Sequence, residues 1–229
     1  MEVEGMEVED TVVVEGVRNK PFYIDMCYSS EVSLATFSIG LGFSTLLIFN
    51  KDPFHKLIGF FLGFVSFMQF IEYLLWNHQV CDDYNKNISI AGMLLNHLQP
   101  VVLALITGLI YKKNIHSLFV ISIIYLSVII PYSLQFTSDI QCSTKQNDPH
   151  LVWNWNTMKY TDIVYIIFLA AFVGIALYGM PFPEGILFSS VSILTYVSSI
   201  LFYDRNVVGS MWCFWTAFFP AITYLIPQQ

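Results

Sequence analysis

Glu72 places a carboxyl inside Gln69 to Trp76, a stretch that otherwise reads as hydrocarbon-embedded helix, and Gln69 and Trp76 share its helical face at i−3 and i+4. His97 is the second acid or base set well inside an apolar run. Charge in hydrocarbon is costly, so such residues pair, stay neutral or mark a working site. A carboxyl and an imidazole at similar depth could exchange a proton with a bound molecule, hold a metal, relay protons or clasp two helices. Choosing among these depends on the elements that carry them.

Those elements are membrane spans. The chain has 229 residues, of which 55% are hydrophobic and 12% charged, against about 45–50% and about 25% in soluble domains. Seven acids and two bases fall in residues 1–25, leaving ten acids and eight bases beyond, so the net charge of −7 divides into −5 and −2. No basic cluster could follow a phosphate backbone, which excludes nucleic acid as the expected partner and leaves the lipid bilayer. Residues 1–25 read as an acidic, disordered tail, and residues 26–229 as the transmembrane domain. The tail lacks the basic start and apolar region of a secretory signal, and Met26 could serve as an internal start.

Apolar runs predict spans at Val32 to Phe49, Leu57 to Trp76, Ile88 to Tyr111, Ile115 to Leu134, Thr161 to Gly179, Glu184 to Tyr203 and Ser210 to Ile226. The expected fold is therefore all-α, a polytopic transmembrane helix bundle of about seven spans. Met180-Pro181-Phe182-Pro183 predicts a tight turn, and Trp153, Trp155 and Tyr160 read as interfacial anchors. Lys51, Lys56, Lys112 and Lys113 occupy the short loops of one face, which predicts a cytosolic C-terminus and a non-cytosolic N-terminus. The Asn87-Ile88-Ser89 sequon abuts the third span and reads as unused.

Span counting also sorts the unusual residues. Cys27, Cys81, Cys142 and Cys213 all fall towards the N-terminal face, and Cys81 with Cys142 is a candidate disulfide. At about 1.5 Å per residue, Glu72 lies about 6 Å before the end of its span and His97 about 13 Å after the start of the next. The two spans are antiparallel neighbours, which makes His97 the expected partner of Glu72, with Gln69, Asn96 and Tyr132 as further hydrogen-bonding candidates. The leading reading is a pocket open to one side that binds a small molecule or lipid head group. Glu72 and His97 are its candidate catalytic residues, and Gln69, Trp76 and Asn96 its binding residues. Whether the pocket catalyses a reaction stays open. A divalent metal on Glu72, His97, Cys27 and Cys213, a proton-linked transporter or channel, and a purely structural clasp are the alternatives. Retinal is excluded, because no lysine lies within a span.

Three segments carry a resemblance. Met26-Cys27-Tyr28-Ser29, Met68-Gln69-Phe70-Ile71-Glu72 with Trp76, and Ser210-Met211-Trp212-Cys213-Phe214 are similar to motifs of an uncharacterised family of bacterial and giant-virus multi-pass membrane proteins. Its members begin Met-Cys-Phe-Ser, carry a Gln-Gln-x-x-Glu-Gly-x-x-Trp stretch and end Ser-x-Trp-Cys-Phe. His97 and Pro100 are similar to a His and Pro element in its third span. Met68 and Tyr73 depart from the pattern. The resemblance implies that Cys27, Gln69, Glu72, Trp76, His97, Trp212 and Cys213 form one set, which adds Trp212 to the binding residues. It implies no activity. A viral member would sit in a host or virion membrane.

Overall fold

Seven apolar helices are long enough to cross a membrane, and the computed structural model describes them through residues 29–138, 142–145, 150–203 and 207–225. The acidic tail and Cys27 lie outside the described residues. The helices are α1 (Ser30–Ile48), α2 (Pro53–Asn77), α3 (Asp83–Tyr111), α4 (Ile115–Ser138), α5 (Thr161–Gly179), α6 (Phe182–Phe202), and the broken pair α7 (Val208–Ala217) and α8 (Phe219–Leu225). The chain is an all-α multi-pass membrane protein.

Polar caps lengthen two helices beyond the apolar runs. Asp52 accepts a hydrogen bond from the His55 backbone N–H ahead of Pro53, so α2 begins four residues before Leu57. Asp82 does the same for Asn85, so α3 begins at Asp83 rather than Ile88. The 29 residues of α3 span about 43 Å at 1.5 Å each, more than the roughly 30 Å of hydrocarbon. Its first turns therefore project beyond the apolar layer. The last span is not one helix: Pro220 cannot donate to the carbonyl of Thr216, and the chain breaks at Phe218 before resuming as α8.

Helix α2 is the centre of the bundle, packed against α1, α3, α7 and α8, while α5 packs against α3, α4 and α6. Phe61 of α2, Phe168 and Phe172 of α5, Phe188 of α6 and Trp212 of α7 form the aromatic core. Phe172 meets Phe61 at 5.6 Å, Phe168 at 4.8 Å and Trp212 at 5.6 Å between ring centroids.

The loop between α4 and α5 closes the face where α2 ends. A two-residue ribbon pairs β1 (Thr144–Lys145) with β2 (Leu151–Val152) in antiparallel register, and a 3₁₀ turn follows at Asn154–Asn156. Cys81 and Cys142 are joined by a disulfide, with Cα atoms 5.4 Å apart. Asn85 donates to the carbonyls of His78 and Ser143, and the Ser143 N–H donates to Ser89. The Ser89 hydroxyl in turn donates to Asn85, so the sequon's serine is buried and engaged within α3. Trp153 and Trp155 are fully buried, stacked 4.9 Å apart, which corrects their reading as interfacial anchors. Two glycines make the room: a Cβ on Gly92 would come within 3.2 Å of Trp155, and one on Gly209 within 2.9 Å of Trp153. Tyr160, the third of those aromatics, is exposed.

Candidate functional site

The polar residues of α2, α3 and α7 converge beneath this loop. On α2 the Gln69 side-chain amide donates to Glu72 Oε2 at 3.0 Å, and both side chains are buried. This contact follows from i, i+3 spacing on one helical face. Ser210 of α7 is the other polar neighbour of the Glu72 carboxyl, and Cys213, one turn on, faces the same group. Gln99 of α3 is the polar neighbour of the Cys213 thiol. Gln69 Oε1 and Glu72 Oε1 are buried and make no hydrogen bond among the described residues.

From Gln99 a line of hydrogen bonds runs outward. Gln99 Nε2 donates to Asn96 Oδ1 at 3.5 Å, a long contact, and Asn96 Nδ2 donates to the Tyr165 hydroxyl at 2.9 Å. The Tyr165 hydroxyl donates to Asn156 Oδ1 in the 3₁₀ turn. Asn156 and Tyr165 line a cleft of about 470 Å³ between the start of α5, the end of α6 and the start of α7. On its inner side Gln99 lines a smaller space walled by Phe61, Leu62, Val65, Phe172, Phe188 and Trp212. The hydrogen-bonded line therefore runs from Gln99, the neighbour of Cys213 beside Glu72, to a cleft on one face.

His97 does not join it. Its Nδ1 lies 2.8 Å from the Ser133 hydroxyl of α4, and its carbonyl accepts from the Tyr125 hydroxyl. Ser133 donates to the Ile129 carbonyl, so Ser133 accepts from an Nδ1–H, leaving Nε2 as the bare nitrogen. That nitrogen is buried and makes no hydrogen bond among the described residues. The expected Glu72–His97 pair is thus replaced by Glu72–Gln69 and His97–Ser133. Adjacent residues on a helix point about 100° apart. Asn96 and Gln99 face α5 and α7, so His97 between them faces α4. Tyr132 donates to the Trp155 carbonyl and lies 2.7 Å from the Thr161 hydroxyl, with its ring beside His97.

The remaining candidates are placed as follows. Trp76 is half-buried and packs with Met68, Leu75 and the Trp153–Trp155 stack. Trp212 donates its indole N–H to Thr195 at 2.9 Å and belongs to the aromatic core. Cys213 is fully buried beside Glu72, and Cys27 lies outside the described residues. Among the described residues no three His, Cys, Asp or Glu side chains gather as metal ligands do. Sequence reasoning did not place Gln99, Tyr165 or Asn156 in the site, and it met Ser210 only as the first residue of the third motif. Asn96 and Gln99 stand at i, i+3, the spacing that would have put both on one face.

No family model matches this chain, and no curated protein or solved structure does so either.

Proposed function

We propose that this membrane protein binds a small polar molecule or a lipid head group from one face, through a site whose inner end is the Glu72 carboxyl. The observation that carries this reading is the line Gln99–Asn96–Tyr165–Asn156, which connects the Glu72 and Cys213 neighbourhood with the cleft. Glu72 pairs with no cation among the described residues. A buried carboxylate without a counter-charge is strongly disfavoured, so the group works as a neutral acid, able to donate as well as accept. Gln69 orients it, and Ser210 lies beside it. Gln69, Glu72, Ser210 and Cys213 come from two of the motifs that resemble the bacterial and giant-virus family, and membership of that family is part of this proposal. So is the orientation with the cleft on the non-cytosolic side, which rests on the lysines of the opposite loops. The phenyl-walled space below Gln99 favours binding over a proton path across both leaflets.

The test compares wild type with Glu72→Gln and Tyr165→Phe in purified protein, by native mass spectrometry and thermal unfolding. Wild type is expected to retain a lipid or small molecule, while Glu72→Gln folds within about 1 kcal/mol of it and retains at least tenfold less. If both variants lose folding equally and nothing co-purifies with wild type, the polar cluster is a structural clasp. If nothing co-purifies but proton flux in liposomes depends on Glu72, transport replaces binding.

A further inference from the structure

The second half of α3 and the first half of α4 do not close against each other. Between them, on the half of the molecule away from the disulfide, runs a groove of about 390 Å³ in which Ser122 is the one polar side chain. Leu105 and Leu109 wall it on one side and Phe119 and Ile123 on the other, and all four are exposed. Spacing of i, i+4 puts each pair on a single helical face. Ala104 and Gly108, one turn apart on α3, line it as well and leave it open by carrying little or no side chain.

Gly108 differs from the glycines that let two helices touch. A Cβ on Gly59 would come within 2.7 Å of the Ser44 carbonyl oxygen, whereas one on Gly108 would meet nothing nearer than Leu118 at 3.7 Å, an ordinary contact. Glycine within a helix costs about 1 kcal/mol relative to alanine, and no close helix approach requires it here. What it leaves is room. From Val101, the innermost lining residue of α3, to Lys112 the helix rises about 16 Å, half of the roughly 30 Å of hydrocarbon. The groove is thus one leaflet deep, the reach of a single lipid acyl chain.

Its end at the membrane surface is marked by charge. Leu109 and Ile115 line that end, three residues before Lys112 and two after Lys113. Both lysines are exposed, and neither pairs with a carboxylate among the described residues. The described acids of the same face are engaged elsewhere: Asp52 caps α2 and pairs with His55, and Glu184 accepts from the Tyr111 hydroxyl. The lysine loop is also fixed, with Lys112 and Asn114 in left-handed backbone at φ 52° and 50° and Asn114 Nδ2 donating to the Tyr178 carbonyl at the end of α5. No acid stands in the first turn of α4, so its positive end adds to the lysines rather than opposing them. A zwitterionic head group would bring its own cation against this pair, and an anionic one would not.

We propose that the groove holds an acyl chain of an anionic phospholipid whose phosphate is bound by Lys112 and Lys113. The site lies across the membrane from Glu72 and the cleft, and it goes beyond the binding reading above without resting on it.

The full chain, purified in detergent, is offered equimolar phosphatidylglycerol and phosphatidylcholine with the same acyl chains, and the bound lipids are counted by native mass spectrometry. Wild type is expected to retain phosphatidylglycerol about fivefold or more over phosphatidylcholine. Lys112→Gln with Lys113→Gln should remove the preference, and Gly108→Leu, which puts a side chain into the groove, should lower the phosphatidylglycerol retained. Lys51→Gln with Lys56→Gln, on the same face but outside the groove, should change neither. Glu72→Gln should also leave phosphatidylglycerol bound, which keeps this lipid distinct from any ligand of the buried carboxyl. Thermal unfolding checks each variant's fold; Lys112 and Lys113 are exposed, so their arm is readable even where Gly108→Leu misfolds. Equal retention of the two lipids, a preference unchanged by the Lys112 and Lys113 variant, or its loss in both lysine pairs alike overturns the proposal. So does displacement of the lipid by free glycerol phosphate, or a folded Gly108→Leu that retains as much phosphatidylglycerol as wild type. A dimer that Gly108→Leu dissociates would make a second copy of the chain the occupant and overturn it as well.

Discussion

Asp82 both caps α3 and accepts a contact from outside it. Its carboxylate takes the Asn85 backbone N–H at 3.1 Å, and its other oxygen lies 2.8 Å from His78 Nε2. The backbone N–H first, and then His78, hold its carboxyl below the usual aspartate range. A carboxyl whose folded value is depressed stabilises the fold above its unfolded value and loses that contribution as pH falls through the folded one. The contribution should thus be complete above the ordinary value of 3.8 and disappear below it. Thermal unfolding of wild type and Asp82→Asn across this range checks it. Asparagine keeps the cap, so the midpoints should differ above that pH and converge below it. At the same scale, Glu72 shows how much of a site one residue reveals. An acid in an apolar run announced a polar site, and its bond to Gln69 follows from helical spacing. Its neighbours Ser210 and Cys213 lie about 140 positions away in the chain, where no local pattern ties them to it. Span counting set His97 at a height near Glu72 but could not set its direction around the helix, and its Nδ1 turns to Ser133 of α4 instead.

At the scale of elements, the loop between α4 and α5 depends on its attachments. Its disulfide closes a sequence separation of 61 residues, for which chain entropy alone would contribute about 4 kcal/mol. Reduction, or Cys142→Ser, is expected to lower stability by up to roughly that amount. Trp153 and Trp155 should then leave their glycine sockets, seen as a red shift in tryptophan fluorescence on adding reductant. An unchanged spectrum and midpoint would mean that the Asn85 and Ser89 hydrogen bonds hold the loop without the disulfide. The sequence showed two tryptophans in a polar loop, for which the membrane interface is the ordinary place. Their burial needed Gly92 of α3 and Gly209 of α7, residues that precede them by about 60 positions and follow them by about 55 and become sockets only once the loop folds against both helices. The break between α7 and α8, by contrast, was available in Pro220 and is a local effect of its missing N–H.

For the whole molecule, seven spans place Cys81 and Cys142 on the face opposite Lys112 and Lys113. In sealed vesicles, a single cysteine introduced at Lys113 should react with a membrane-impermeant thiol reagent from one side. After reduction, Cys81 and Cys142 should react only from the other; labelling of all three from the same side would refute the span count. This architecture was legible because crossing a bilayer imposes a demand that each segment meets by itself: about 20 apolar residues whose backbone hydrogen bonds close within the helix. Composition and span number follow from the chain read locally, whereas the apolar runs alone placed the starts of α2 and α3 at Leu57 and Ile88, short of the caps at Asp52 and Asp82. What only the tertiary structure decided is which faces meet: Glu72 with Ser210 and Cys213, Asn96 with Tyr165, His97 with Ser133, and the tyrosines around the cleft. Lipid and protein interior are both apolar, so hydrophobicity does not distinguish the face of a span that turns outward from the one that turns in. That choice is made by packing and by hydrogen bonds between helices distant in the chain.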